Sequence, residues 1–250
     1  MPNNRLGRIW GLVAEQAAGR GGRMSAGDAC TAAVAEVQVT GAWLSAARGR
    51  EAGHLMRVTD EVSERLAELE LTLGEGPSLD TSASGGPALA SDLADGDSRH
   101  RWPVFAPAAS QAGAAAVFAF PLVIGAISTG VLCLYRDRPG RLRDSQLGDA
   151  LVFADTATLL LLDAQSQAAE DDGTSRPGGQ PAELAAHRAE IDQATGMITE
   201  QLGVGITDAF VRLRAYSYVN DLRLSDVAGD IVARRLRLYP DPGPSWSCDA

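Results

Sequence analysis

The side chains in this sequence that could do chemistry are few and scattered. Three cysteines, Cys30, Cys133 and Cys248, form no CxxC, and with only His54, His100 and His187 beside them they offer no zinc-ligand spacing. Every basic residue is arginine, which excludes a lysine Schiff base and the phosphate-binding lysine of a P-loop. No GxGxxG follows an apolar stretch, so a dinucleotide site has no support. What remains is "EIDQATGMITEQLGV", residues 190–204, a helical pattern centred on Ala194, Thr195 and Gly196. A glycine inside a helix costs up to about 1 kcal/mol relative to alanine. Something must therefore lie close to that backbone, a packed helix on the Ala194 side and a ligand on the Gly196 side. Arg188, Thr195 and Thr199 share a helix face, and Arg212, Arg214 and Tyr216 follow with guanidinium and aromatic groups suited to phosphate contact and base stacking in a single-stranded loop.

The chain that must position these residues has 250 residues, with 22 arginines against 32 acids and a net charge of −10. Such a chain does not bind nucleic acid through bulk charge, so any contact rests on a local arginine cluster. No run approaches the roughly 18 apolar residues of a membrane span, and the first residues lack the apolar stretch of a signal peptide. This reading places the protein in the cytoplasm, with its thiols buried and reduced.

The apolar pattern gives the elements. Leu6, Ile9, Trp10 and Val13 predict a helix over about 4–17, and Asp28 is expected to cap a second over 29–36. "VQVTGAWLSAA" and "GHLMRVTD" read as strands joined by a turn at Arg48 to Gly53. "DEVSERLAELEL" reads as a helix that runs into "TLGEGPS", a structural turn. "GPALASDLA" reads as a short strand, and "WPVFAPAASQAG" as a helix opened by Pro103. "AAVFAFPLVI" and "AISTGVLCLYRD" are nearly all apolar, as central strands are, and they join at Gly125. Asp144 is expected to cap a helix over 145–163, where Leu159 to Leu162 are apolar on every side. The fold class is therefore α+β. The two apolar terminal helices of this half, about 4–17 and 145–163, predict a homodimer.

From 165 to 182 the composition turns to Ser, Gln, Asp, Gly and Pro, predicting a flexible linker. Beyond it, Leu184, Ile191, Ala194, Ile198 and Leu202 make one stripe that ends at Gly203 and Gly205. Thr207 is expected to cap a second helix with Ala209, Phe210, Leu213 and Tyr216 inward. Ser225 is expected to cap a third with Val227, Ala228 and Ile231 inward, and with Arg234, Arg235 and Arg237 in its last turn.

The stretch "HRAEIDQATGMITEQLGVGITDAFVRLRAYSYVNDLRLSDVAGDIV" closely resembles the ANTAR domain, the three-helix RNA-binding module of bacterial antitermination regulators. The matching elements are "QATG", Ala209, the pair Leu213 and Arg214, and "LSDVA". The resemblance implies an RNA-binding set of Arg188, Gln193, Thr195, Gly196, Arg212, Arg214 and Tyr216, acting on paired hairpin loops in nascent transcripts. The family often carries lysine where this chain has Thr195, so a hydroxyl replaces a full charge. In the N-terminal half, "LTLGEGPSLDT", "SDL", "RWPVFAPAA", "VFAFPL" and "GVLCLYRD" resemble, in that order, the GAF domains that precede ANTAR in actinobacterial proteins. That resemblance implies an antiparallel sheet flanked by helices and a sensory role with a small-molecule ligand. It names no cofactor, and the NKxxFDE motif of cyclic-nucleotide GAF domains is absent.

The expected organisation is a GAF-like sensor over 1–164, a linker over 165–182, a three-helix ANTAR module over 183–239 and a disordered tail over 240–250. The expected function is non-enzymatic control of transcription termination through RNA. Two alternatives compete with it. One is a DNA-binding regulator that uses helices two and three as a helix-turn-helix; the other is a thiol-dependent GAF enzyme of the methionine sulfoxide reductase type.

Overall fold

The structure is a computed structural model that describes residues 2–46, 55–125, 127–170 and 182–239. The turn expected at Arg48 to Gly53, His54, most of the expected linker and the tail from 240 onward, with Cys248, lie outside the described residues. The chain divides into two compact units, Met1–Ala185 and Ala186–Ala250.

The first unit is built on a five-stranded antiparallel sheet in the order β2-β1-β5-β4-β3. Its strands are β1 (Gly41–Ala46), β2 (Leu55–Val58), β3 (Ala88–Ala90), β4 (Ala116–Ile124) and β5 (Ile127–Arg136). The two apolar strands pair along their whole length through the turn at Gly125, whose φ of 57° suits glycine. Period-two alternation sends their side chains to opposite faces. Phe118, Phe120, Leu132 and Leu134 meet α1 (Pro2–Arg20), α2 (Ala26–Val37) and α7 (Asp144–Glu170) through Ile9, Val13, Ala29, Phe153 and Ala157. Val117, Ala119, Val131 and Cys133 meet α3 (Glu61–Leu73) and α6 (Phe105–Gln111) through Leu66, Phe105 and Ala109. A sheet covered on both faces explains why β4 and β5 read as continuous apolar runs. At Gly130 the absent side chain is required, because a Cβ there would run into the Ser45 carbonyl of β1.

Several helix ends differ from the sequence reading, and side-chain geometry gives the reason. Ser25, not Asp28, precedes α2; Asp28 sits three residues in and its carboxylate accepts from the Ser25 backbone N–H and hydroxyl. Asp28 also pairs with Arg20 at 2.7 Å. Burial works against its ionisation, but the hydrogen bonds from Arg20 and Ser25 outweigh burial and hold its pKa below the usual range. The stretch after "LGEG" is a helix, α4 (Pro77–Ser84), and the segment around Pro103 is two helices, α5 (Gly96–Arg101) and α6, with Pro103 between them. Asp144 is the first residue of α7, and Gln146 accepts from the Arg143 N–H just before it. That helix runs to Glu170, six residues into the expected linker. Gln and Ala are adequate helix formers, and Gln167 donates to Asp163 one turn back at 2.6 Å.

The described residues of the second unit hold α8 (Ala182–Leu202) from Ala186 onward, α9 (Ile206–Val219) and α10 (Leu224–Val232). Ala194, Ile198, Ala209, Leu213, Val227, Ala228 and Ile231 are buried, as their spacing predicts. Gly205 and Arg223 occupy the N-cap positions expected for Thr207 and Ser225. Arg234, at φ 59°, already lies beyond α10, so the three arginines expected in its last turn follow the helix instead.

Candidate functional site

The candidate site is the exposed surface of α8 and α9. Helix α8 turns about 100° per residue, so Gly196 lies about 200° round from Ala194. Ala194 is fully buried, whereas Gly196 is exposed and has nothing within 4 Å of the position a Cβ would take. Packing within the unit therefore accounts for Ala194 and leaves the helix cost of Gly196 without compensation. Arg188, Asp192 and Gly196 follow one another at intervals of four on this side, and Arg188 pairs with Asp192 at 3.7 Å. Gln193 is exposed beside them. The result is a smooth strip of bare backbone with a guanidinium and a carboxylate at its N-terminal end.

Thr195 does not belong to this strip. It is only 4% exposed, and its hydroxyl donates to the Ile191 carbonyl at 2.7 Å. The expectation that it faces a ligand beside Arg188 is corrected, since one residue's rotation from Ala194 keeps it within the bundle. Thr199 likewise donates back, to the Thr195 carbonyl.

On α9, Arg212 and Arg214 are two residues apart and so lie on opposite flanks of the helix. Arg214 stands over the Phe210 ring at 5.8 Å, an arrangement that couples a cation to an aromatic face. Arg212 shares the other flank with Tyr216, which is half-buried. The inward stripe consists of Ala209, Leu213 and Ser217, with Phe210 and Tyr216 at its margins. The structure thus gathers Arg188, Gln193 and Gly196 on α8, and splits Arg212 and Tyr216 from Arg214.

Helix α10 presents little to a nucleic acid. Leu224, Val227, Ala228 and Ile231 are buried, Asp226 is exposed, and Asp230 pairs with Arg235 at 2.7 Å. A recognition helix with acids outward would repel the DNA backbone.

In the first unit, two carboxylates explain "LGEGP". Glu75 accepts from the backbone N–H groups of Val104 and Phe105, both at 2.6 Å, and so caps α6 from a distance. Glu70, only 2% exposed, accepts from the Ser78 N–H at 2.7 Å at the start of α4 and from the Trp43 indole. Burial pushes the Glu70 pKa up to about 7, against the opposing hydrogen bonds of Ser78 and Trp43. Gly76, at φ 143°, leaves room for it. Neither acid was legible as a helix anchor, because each serves a helix distant in sequence or reached only after a reversal of the chain.

Cys30 and Cys133 are buried in the cores on opposite faces of the sheet. Burial raises Cys30 to about 12 and Cys133 well above the ordinary thiol range, which suppresses the thiolate that redox chemistry needs. His100 is exposed, Arg101 pairs with Asp80 at 2.8 Å and stacks on Trp102, and Trp102 itself is core. A small recess lies between the N-terminus of α2 and the sheet, lined by Arg20, Ser25, Asp28, Leu44, Met56 and Arg57. The Nε of Arg57 is buried there without a partner. No group of acids, histidines and cysteines that could hold a metal ion occurs among the described residues. No described helix is long and apolar enough to cross a membrane.

Comparison with known proteins bears on both units. Residues 182–232 match the ANTAR domain family. Among solved structures, the GAF domain of a phosphoenolpyruvate-protein phosphotransferase from Coxiella burnetii matches with a TM-score of 0.50 at 12% identity, over 66% of this chain and 98% of that one. The GAF domain of the Acinetobacter phosphoenolpyruvate-protein phosphotransferase matches at 0.48 and 12% identity, over 68% and 98%. A domain of a two-component sensor histidine kinase protein from Sinorhizobium meliloti 1021 matches at 0.44 and 21% identity, over 57% and 92%. At these identities the likeness concerns the fold alone, and the Coxiella domain carries it: the sheet unit has a GAF-like fold. No curated protein matches the chain.

Proposed function

With an ANTAR domain at 182–232 behind a GAF-like unit as the premise, we propose that this protein is a non-enzymatic, cytoplasmic regulator that binds single-stranded loops of paired RNA hairpins in nascent transcripts and so controls their termination. The observation that carries the reading is Gly196, a mid-helix glycine whose outer side is open and whose cost nothing in its own unit offsets. A base or sugar lying on that backbone supplies the missing contact. Arg188 and Gln193 border the same strip, and Arg214 on Phe210 offers a guanidinium plane for stacking or phosphate.

Acids and arginines nearly balance in this module, so a single contact is weak and salt-sensitive. A dimer that engages two loops raises avidity, and we assign its interface to α1 and α7. Leu6, Leu151 and Leu159 are exposed there, and Gly7 and Gly11 on α1 have nothing within 4 Å of a Cβ. In this reading the sensor unit, residues 1–164, passes the state of a small ligand to the RNA module through the segment that follows it. The recess at Arg57 is where a small polar ligand would find an unpaired donor.

Gel shifts with a two-hairpin RNA test the reading. Arg214→Ala should weaken binding by about 1–3 kcal/mol, and Gly196→Leu should abolish close approach while leaving the helix at least as stable. Unchanged affinity in both variants, with helicity preserved, would place the RNA elsewhere. Preference for duplex DNA over the hairpins would favour the helix-turn-helix alternative, against which the acidic outer side of α10 already argues. Light scattering checks the interface: Leu151→Asp with Leu159→Asp should convert dimer to monomer.

A further inference from the structure

The recess at the N-terminus of α2 is built almost entirely of hydrogen-bond donors. Its volume of about 20 Å³ admits one water-sized group. The Arg57 Nε–H is buried there with no acceptor among the described residues, and Nη2 of the same side chain reaches the Thr31 hydroxyl only at 3.4 Å. Arg20 gives Nε and Nη2 to the Asp28 carboxylate at 3.2 and 2.7 Å, and the Ser25 N–H and hydroxyl donate to it at 2.8 and 2.7 Å. Asp28 thus already holds the four hydrogen bonds that a carboxylate ordinarily accepts. Two guanidiniums and one carboxylate line the recess, which leaves one positive charge in excess. The dipole of α2, a helix of 12 residues, adds to it.

We propose that, on the sensory reading of this unit, the recess is a monoanion site that takes a halide ion or one oxygen of a formate-sized carboxylate. An anion accepts from the Arg57 Nε–H and offsets the excess charge. Water is the poorer occupant. It can accept from Nε, but its own protons meet a carboxylate that is already engaged, and Leu44 and Met56 offer them no strong acceptor. Arg20 is the last residue of α1 and Arg57 stands on β2, so an anion held between them ties α1, α2 and β2 together, α1 being a helix assigned to the dimer.

Chloride NMR and urea unfolding of the full chain test this. The protein should broaden the chloride resonance, and excess formate should remove the broadening. Gluconate, whose hydroxylated chain is too bulky to enter, serves as the reference anion at constant ionic strength. Replacing about 100 mM gluconate by chloride or formate should raise the folding constant of the first unit, followed by tryptophan emission, about tenfold for a dissociation constant of about 10 mM. Gly27→Ala should abolish both signals. Its methyl would stand 3.5 Å from the Arg57 Cδ and 3.6 Å from the Ser25 Oγ, ordinary contacts that fill the space between two lining residues without a clash, so the variant should be at least as stable as the parent in gluconate. Arg57→Met, which keeps an apolar stem on Gly27 and removes the Nε–H, should lose both signals as well. Arg99→Met, a change at an exposed arginine of α5, should keep them.

No broadening, with equal stability in chloride and gluconate, overturns the proposal and leaves water as the occupant. Signals that persist in both Gly27→Ala and Arg57→Met put the anion elsewhere and overturn it too. Gel shifts on the same proteins keep this apart from the functional reading. An anion response with RNA affinity identical in chloride and gluconate upholds the site and sinks the sensory role, and loss of RNA binding in Gly196→Leu should leave the anion response intact.

Discussion

Glu70 allows a quantitative test of the first unit's architecture. Its carboxyl is buried beneath α4 and accepts from the Ser78 N–H and the Trp43 indole. Burial nonetheless raises its pKa from the usual 4.5 to about 7. The folded state therefore binds the proton more tightly than the unfolded chain between these two values, and stability must fall as pH rises through that window and level off above it. Two to three pKa units at 1.36 kcal/mol each give a loss on the order of 3 kcal/mol. Asp155 is also raised by burial and works in the same direction at lower pH; Asp28 and Asp95, whose pKa values are lowered, lose their contributions only in more acid solution. The measurement is urea unfolding between pH 5.5 and 8, followed by tryptophan emission, with Trp43 a direct reporter because it donates to the carboxyl. Glu70→Gln should flatten the pH dependence. Its oxygen still accepts from Ser78, while its amide NH2 lacks an acceptor, so its stability at pH 8 should stay within about 2 kcal/mol of the parent. A parent protein whose stability is constant or rises from pH 5.5 to 7.5, or a Glu70→Gln variant that keeps the parent's slope, would refute the argument.

Two further substitutions test how each unit is anchored. Thr195→Lys should destabilise the three-helix unit by several kcal/mol, because an ammonium at a position 4% exposed loses its hydration. A melting temperature of the isolated transition lowered by several degrees is expected, and a stable variant with tighter RNA binding would return Thr195 to the RNA-facing side. Glu75→Ala should leave the N–H groups of Val104 and Phe105 without their shared acceptor. The cost is about 1–2 kcal/mol, seen as faster hydrogen exchange at α6 than at β5, and equal protection in both proteins would contradict the capping role.

The sequence alone carried the strands of the first unit and its longer helices, though not α4 or α5, together with the three-helix plan of the second and most of the inward faces of both. These follow from apolar period and from glycine breaks, which act over a few residues. Ala194 as a packed residue and Gly196 as an open one were legible for the same reason, since rotation per residue is a constant of the helix. Helix caps were less legible. Asp28, Thr207 and Ser225 each have the right chemistry for a cap but sit inside the first turn, and the choice among neighbouring polar residues depends on what else each side chain reaches. For Asp28 that is Arg20, one helix away.

Tertiary structure alone decided the rest. The burial of Thr195 depends on where neighbouring helices lie, and no spacing rule on α8 contains that information. Glu70 reads as one acid among several on a helix and Glu75 as part of a turn, but they close the N-termini of α4 and α6, and the depth of Glu70 beneath α4 sets its proton affinity. Local pattern is enough to determine which residues go inside, because burial is a property of one helix or strand face. Which buried polar group meets which backbone donor is a property of pairs brought together across the fold, and only the packed structure specifies those pairs.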